Sequence, residues 1–437
     1  MTEFYLQKCL TANGPFKDLP PDRLENIYLH RYAWPGPLIA ALPREDTRII
    51  VVIPSYNESG ILDALNSLEK CQIPNCQVEV IIVLNHAIQE HSLVKKTNFD
   101  SASDIDSWIS PERNYQYHLI RAFDLPQKKA GVGLARKIGM DEAVRRFEIL
   151  QKKNGIIVCF DADCICAPNY LTEIERTYLE NAKTNAALIY FEHDFESLFD
   201  KPKNKDAIIN YELHLRYYVQ ALKYANFPYG YHTVGSCITV SSSAYQKQGG
   251  MNLRKAGEDF YFLQRIFPLG NVRNITSTKI IPSARPSDRV PFGTGKAIGD
   301  LLKGKSKYYH TYNPQSFLDF KIFNEAVSDI WELEMLQGFF DGLPTSVGAY
   351  LESIDFATQV SKIKKNCKNP QVFRQAFYNW FNGFKALKYV HFARSHFYPN
   401  VEVLDAANWM LTRQAGHAAN NKTEALQMLR TLDRSDQ

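Results

Sequence analysis

The sequence predicts an α/β fold: a mostly parallel central sheet flanked by helices, followed by a helical C-terminal region. Three observations carry this. Near-continuous apolar runs alternate with helix-like stretches between residues 48 and 191, the pattern of β-α-β units whose strands are buried on both faces. Polar residues follow several of these runs directly, as at Asp161-Ala162-Asp163, and ligands bind beyond the carboxyl ends of such strands. From about residue 315 onward, aromatic residues recur at the three-to-four spacing of a helix face.

Residues 1–46 read as a polar and aromatic lead-in with several prolines and one helix around Arg23 to Tyr32. Arg48 to Ile53 is a β-branched strand, and Ile61 to Lys70 fits an amphipathic helix. Val78 to Leu84 is a second apolar strand. Residues 86–115, rich in Ser, Asp and Asn, read as a long loop or insertion. Tyr117 to Ile120 makes a short strand and Val132 to Leu150 a helix. Ile156 to Phe160 is a buried strand, Asn169 to Asn181 a helix, and Ala186 to Phe191 another strand. Asp206 to Tyr224 reads as a helix with Tyr211, Leu215, Tyr218 and Leu222 at helical spacing. Cys237 to Val240 is a short strand, Glu258 to Phe267 a helix opening on two acids, and Lys279 to Ile281 a last strand. Phe373, Phe377, Trp380 or Phe381, and Phe384 then form an aromatic stripe, read as core, with a membrane or partner face as the sharper alternative. The chain thus divides into an extension (1–46), an α/β unit (47–314, with halves 47–165 and 166–314) and a helical region (315–437).

The balance of 51 basic and 47 acidic residues, net +4, gives no electrostatic case for nucleic acid. The start of the chain lacks a long apolar stretch and no run reaches membrane-helix length. A cytoplasmic protein is expected, with any membrane contact peripheral at the inner face. The eight cysteines lack zinc-site spacing and read as reduced, mostly buried thiols.

Chemistry concentrates in four segments. Asp161 and Asp163, two residues apart at a strand end, share a face and repel unless a cation sits between them. Oxygen ligands of this kind suit Mg²⁺ or Mn²⁺ together with substrate phosphates. Pro54-Ser55-Tyr56-Asn57-Glu58 closes the first strand and can meet the acids in one crevice. Gly131-Val132-Gly133-Leu134-Ala135-Arg136 opens a helix, where glycines permit close approach and the N-terminus favours an anion. Gly257-Glu258-Asp259 opens a later helix.

In this order, over about residues 48–285, the four segments resemble the family 2 glycosyltransferases of the GT-A type, a Rossmann-like fold. The resemblance implies a metal-dependent transfer of a sugar from a nucleotide-sugar donor to an acceptor hydroxyl. Inversion is the favoured outcome, and polysaccharide biosynthesis the expected setting. It implies Asp163 as direct metal ligand and Asp161 at the ribose or on the metal through water. Asp259 matches the catalytic base, with Glu258 raising its pKa or orienting the acceptor. Pro54, Tyr56 and Glu58 match the nucleoside-binding turn, and Gly133 and Arg136 the segment facing base or phosphate. A third metal ligand is often a histidine past the last strand, for which His310 is the nearest candidate. His232 lies in a stretch that faces the donor sugar and acceptor, and Arg289 in a loop with Arg285 that could close over a diphosphate. One departure stands out: many members place an acid after the second strand to pair with uracil, where this chain has Asn85. A UDP-sugar is favoured, with a GDP-sugar as alternative. The acceptor is a glycan, a lipid-linked sugar or a small hydroxyl compound. The competing readings are a retaining transferase, a sugar-phosphate nucleotidyltransferase, and a non-catalytic nucleotide-binding protein on the same scaffold.

Overall fold

The computed structural model describes residues 26–198, 200–287, 289, 293–304, 309–333 and 336–435. The expected helix at Arg23 to Tyr32 lies partly outside them; its described part is α1 (Ile27–Arg31). Eight strands form one sheet: β1 (Thr47–Ser55), β2 (Gln77–Ala87), β3 (Gln116–Leu125), β4 (Ile156–Cys159), β5 (Ile165–Cys166), β6 (Ala186–Phe191), β7 (Ile238–Ser241) and β8 (Val272–Ile281). Their spatial order is β3-β2-β1-β4-β7-β6-β8-β5. β1 pairs in parallel with β2 on one side, Ser55 opposite Leu84, and with β4 on the other, Val52 opposite Cys159. The direction of strand addition reverses at β1, so a crevice opens beyond the ends of β1, β2 and β4. Beyond β4 the sheet is mixed: β7 is antiparallel to both β4 and β6, and β6 is parallel to β8.

The helices α2 (Ile61–Glu69), α4 (Val132–Ile149), α5 (Tyr170–Glu180), α7 (Ser242–Lys247) and α8 (Glu258–Ile266) accompany this sheet. Strand residues alternate between two apolar cores: Ile49, Val51 and Ile53 share one with α2, while Ile50 and Val52 share the other with α4. This is the two-sided burial that unbroken Val/Ile runs demand.

One expectation fails. Residues 86–115 are not a loop; they carry α3 (Ser92–Trp108). Its buried positions, Asn98, Ser101, Ala102 and Ile105, have helical spacing, but two are polar. Asn98 accepts from the Asn57 N–H at 2.9 Å and donates to the Asn85 carbonyl at 2.9 Å, and Ser101 Oγ donates to the Glu58 carbonyl at 2.8 Å. The helix thus ties two strand-end turns together through hydrogen bonds, and an apolar-period search misses such a face. β3 and β8 are also longer than expected.

α6 (Pro202–Tyr224) joins the sheet to the C-terminal helices α10 (Pro314–Ala326), α14 (Pro370–Trp380), α15 (Gly383–His396), α16 (Val403–Gln414) and α17 (Lys422–Ser435). Leu213, Tyr217 and Ala221 of α6 share one buried cluster with Phe317, Phe377, Met410 and Leu426. The aromatic stripe is core: Phe373, Phe377 and Phe381 are buried, while Phe384 packs on Tyr261 at 5.7 Å between ring centres. Among the described residues no helix is long and apolar enough to cross a membrane.

Candidate active site

A cavity of about 720 Å³ opens where β1, β2 and β4 end. Pro54 and Tyr56 line it from the end of β1, Asn85 from β2, and Asp161 and Asp163 from the turn after β4. Arg136 enters from the first turns of α4, Glu258 and Asp259 from the start of α8, and Arg289 with Arg285 from the segment after β8. These ten residues named from sequence therefore share one cavity, and His232 lines it as well.

Three do not line it. Glu58 is buried in the wall, held by Arg285, by Arg289 at 2.7 Å and by the Gly60 N–H at 3.0 Å. Burial works against its charge, yet these partners outweigh burial and keep its carboxyl below the ordinary value. Gly133 backs onto the loop before α8, where an added Cβ would stand 2.3 Å from the Arg254 carbonyl oxygen. Its lack of a side chain serves helix–loop packing. His310 lies on β9 (His310–Thr311), paired with β10 (Val401–Glu402), and its Nε2 is 3.4 Å from Glu402. The topology carries it onto a small separate ribbon, away from the two aspartates.

Charge in the cavity is arranged around arginines. Arg136 is buried, paired with Asp161, and has Nη1 3.4 Å from Glu258 Oε1. Burial opposes its charge, but Asp161 and Glu258 outweigh it and hold the guanidinium protonated. Its Nε and Nη1 have no hydrogen-bond partner among the described residues. Asp163 meets Arg289 at 2.7 Å and Arg285 at 3.4 Å. Burial and the neighbouring Asp161 still raise its pKa, against the pull of the two arginines.

Gly257, at φ 67°, adopts the left-handed conformation that glycine takes without strain. It turns the chain so that Glu258 and Asp259 fall in the first turn of α8. Burial pushes the Glu258 carboxyl up to about 7, with Arg136 pulling down and Asp259 pushing further up. Burial likewise raises Asp259, against Arg136 and the Phe260 N–H, which donates to its Oδ1 at 2.7 Å. Asn85 donates from Nδ2 to the Ser55 carbonyl at 2.9 Å, and its Oδ1 is buried without a partner among the described residues.

Among the described residues, no group of three or more His, Cys, Asp or Glu side chains is placed to hold a metal ion unaided. Mg²⁺ and Mn²⁺ sites of the substrate-bridging kind need only one or two carboxylates, the phosphates supplying the rest. Asp161 and Asp163 fit that role and not an all-protein cage.

In one further wall of the cavity the sequence pointed to His232, but not to His193 or to the carboxylates behind the two histidines. His193, after β6, and His232 both line the cavity. Each is backed by a buried carboxylate, Glu212 from α6 and Asp433 from α17 respectively. The available signals were Glu212, Arg216 and Gln220, each four apart on one face of an otherwise largely apolar helix, and Arg430 with Asp433 on the last helix.

Residues 50–247 match the family model described as glycosyl transferase family 2. No curated protein matches the chain. Among solved structures, the chain is similar to S. aureus TarS 1-349 in complex with UDP, at 12% identity over 89% of this chain and 91% of that one, with a TM-score of 0.36. It is also similar to S. aureus TarS 1-349 in complex with UDP-GlcNAc, at 12% identity over 77% of this chain and 92% of that one, with a TM-score of 0.38.

Proposed function

We propose, from the premise that the chain belongs to glycosyl transferase family 2 through residues 50–247, that it moves a sugar from a nucleoside diphosphate donor to an acceptor hydroxyl with inversion. The observation that carries this is the pairing in one cavity of Asp161 and Asp163 with the buried Glu258 and the half-buried Asp259. In the proposed step the acceptor O–H gives its proton to Asp259. The oxygen forms a bond to the anomeric carbon as the bond to the diphosphate breaks, and the nucleoside diphosphate leaves. The raised pKa of Asp259 supports a base stronger than an ordinary aspartate, and a positioned base is worth roughly 10²- to 10⁴-fold. Glu258, with its pKa near 7, orients the acceptor.

Asp163 with Asp161 would hold Mn²⁺ or Mg²⁺, which supplies neutralisation of the charge that develops on the leaving diphosphate. Arg285 and Arg289, paired with Asp163 and Glu58, can transfer their N–H donors to phosphate oxygens. Asn85 Oδ1 asks for a base with an N–H on its pairing edge. Uracil offers one at N3 and guanine one at N1, so a UDP-sugar is favoured and a GDP-sugar is the alternative.

A thermal-shift screen of UDP, GDP, CDP and ADP with and without Mn²⁺ tests the donor class. Stabilisation by UDP or GDP that grows with Mn²⁺ is expected, and no shift with any of the four refutes the reading. Transfer is then measured from UDP-glucose, UDP-N-acetylglucosamine and GDP-mannose. Asp259→Asn is expected to lose transfer while keeping nucleotide affinity, and full activity in that variant removes the base assignment.

A further inference from the structure

One wall of the cavity is made by α6 together with His193 and His232, and α17 braces it from behind through Arg430 and Asp433. His193 is fully enclosed there. Its Nδ1 lies 2.9 Å from Glu212 Oε2, its N–H donates to the same carboxylate at 3.0 Å, and Arg430 donates to its carbonyl at 2.8 Å. Glu212 in turn accepts from Arg216 Nε at 2.7 Å and from Arg430 Nε at 2.8 Å. An ionised carboxylate accepts hydrogen bonds only, so Nδ1 carries a proton, and in the neutral ring Nε2 is then the lone-pair acceptor. That Nε2 is buried, lies on the side of the ring away from Glu212, and has no partner among the described residues. A buried acceptor without a donor costs about 1–3 kcal/mol, which a ligand hydroxyl would relieve.

His232 repeats the arrangement. Its Nε2 lies 2.9 Å from Asp433, whose carboxylate also takes Arg216 and Gln220, the latter at 2.5 Å. Both imidazoles stand edge-on to the Phe191 ring, at 5.8 and 5.2 Å between centres. Arg216 bridges the two carboxylates, so one buried cation sets both histidines. The charges of this wall are thereby cancelled inside it, and tyrosines 218 and 229 line the cavity beside it.

Resting on the transferase reading above, we propose that His193 and His232 form the acceptor subsite, and that His193 Nε2 accepts a hydrogen bond from an acceptor hydroxyl. A wall with imidazole acceptors, aromatic faces and no uncompensated charge fits an uncharged polyol or sugar segment. The last helix of the chain is thus part of the site, because Asp433 and Arg430 set the imidazoles from behind.

The test uses the full chain with Mn²⁺ and UDP-glucose or UDP-N-acetylglucosamine as donor. Glycerol, methyl β-D-glucopyranoside and glycerol 3-phosphate serve as acceptor probes. Wild type is expected to form product with a neutral polyol. His193→Gln and His232→Ala are each expected to raise the acceptor KM about tenfold, the worth of one good hydrogen bond, with UDP affinity kept within about twofold. If His193→Gln fails to fold, as lost UDP binding and a lost melting transition would show, the less enclosed His232 carries the test. An unchanged acceptor KM in the folded variants overturns the proposal. So does turnover with glycerol 3-phosphate alone, or donor cleavage that no polyol stimulates, although both leave the transferase reading standing. Absence of UDP and GDP binding in wild type removes that reading, and this subsite with it.

Discussion

Glu258→Gln isolates the electrostatics at the start of α8. The Glu258 carboxyl is buried and its pKa rises from 4.5 to about 7, chiefly through burial. In the unfolded chain it ionises with its ordinary pKa. A carboxyl whose folded pKa is raised contributes stability that is fully present below about pH 4.5 and is lost as pH rises through about 7. A shift of that size corresponds to roughly 3 kcal/mol. Glutamine keeps the shape and cannot ionise, so the variant lacks this loss. The difference in unfolding free energy, wild type minus variant, is therefore expected to fall by roughly 2–3 kcal/mol between about pH 5 and pH 8.5. Urea denaturation of both proteins at the two pH values measures it, and contributions from titrating groups distant from Glu258 cancel in the difference, leaving its own titration and its interaction with Asp259. A difference that stays constant within about 0.5 kcal/mol refutes the claim that burial of Glu258 dominates over its attraction to Arg136.

Other substitutions probe separate parts. Asn85→Leu removes the orphan acceptor at the base edge and is expected to weaken UDP binding about tenfold by calorimetry; unchanged affinity would take Asn85 out of base recognition. Arg289→Gln releases Asp163 and Glu58 and is expected to lower UDP affinity and flatten its dependence on salt; identical salt curves would place the guanidinium away from the diphosphate. Phe377→Ala opens a hole in the core shared by α6 and the C-terminal helices and is expected to cost about 3–5 kcal/mol; a loss below about 1 kcal/mol in urea melts would mean the helical region contributes little to the cooperative unit.

The parallel half of the sheet was legible because apolar burial writes itself into sequence. Ile49 to Ile53, Val78 to Leu84 and Ile156 to Cys159 are buried on both faces and show no polar alternation. The acids at their ends were legible because a strand end fixes where a side chain can point. What the sequence hid shares a different physics. α3 buries Asn98 and Ser101, whose partners are backbone groups of distant turns. Gly133 and Arg136 stand three apart on α4, yet one meets a loop and the other the cavity, a difference made by the chain near Arg254. Asp433 reaches His232 across 201 positions of sequence. Long-range polar pairs leave no period to detect.

These long-range pairs also divide the cavity by charge. Beside Asp161 and Asp163, Arg136 keeps two nitrogens without a hydrogen bond among the described residues, Nη1 meeting Glu258 only as an ion pair, and Arg285 and Arg289 share the acids of Asp163 and Glu58. A polyanionic ligand there would exchange carboxylate partners of Arg285 and Arg289 for phosphate oxygens, a trade of one charge-assisted bond for another on side chains that are partly exposed. Behind His193 and His232, Arg216 and Arg430 are closed on Glu212 and Asp433, whose pKa values both lie below their ordinary levels once these partners outweigh burial. Opening that network strands a buried charge, at a cost of about 3–5 kcal/mol, so an anion entering there could claim a guanidinium only at that cost. Under the proposed transfer, a phosphate-bearing donor is drawn to the arginines beside Asp161 and Asp163 and an uncharged hydroxyl compound to the histidine wall of the same cavity, with Asp259 as the proposed proton acceptor.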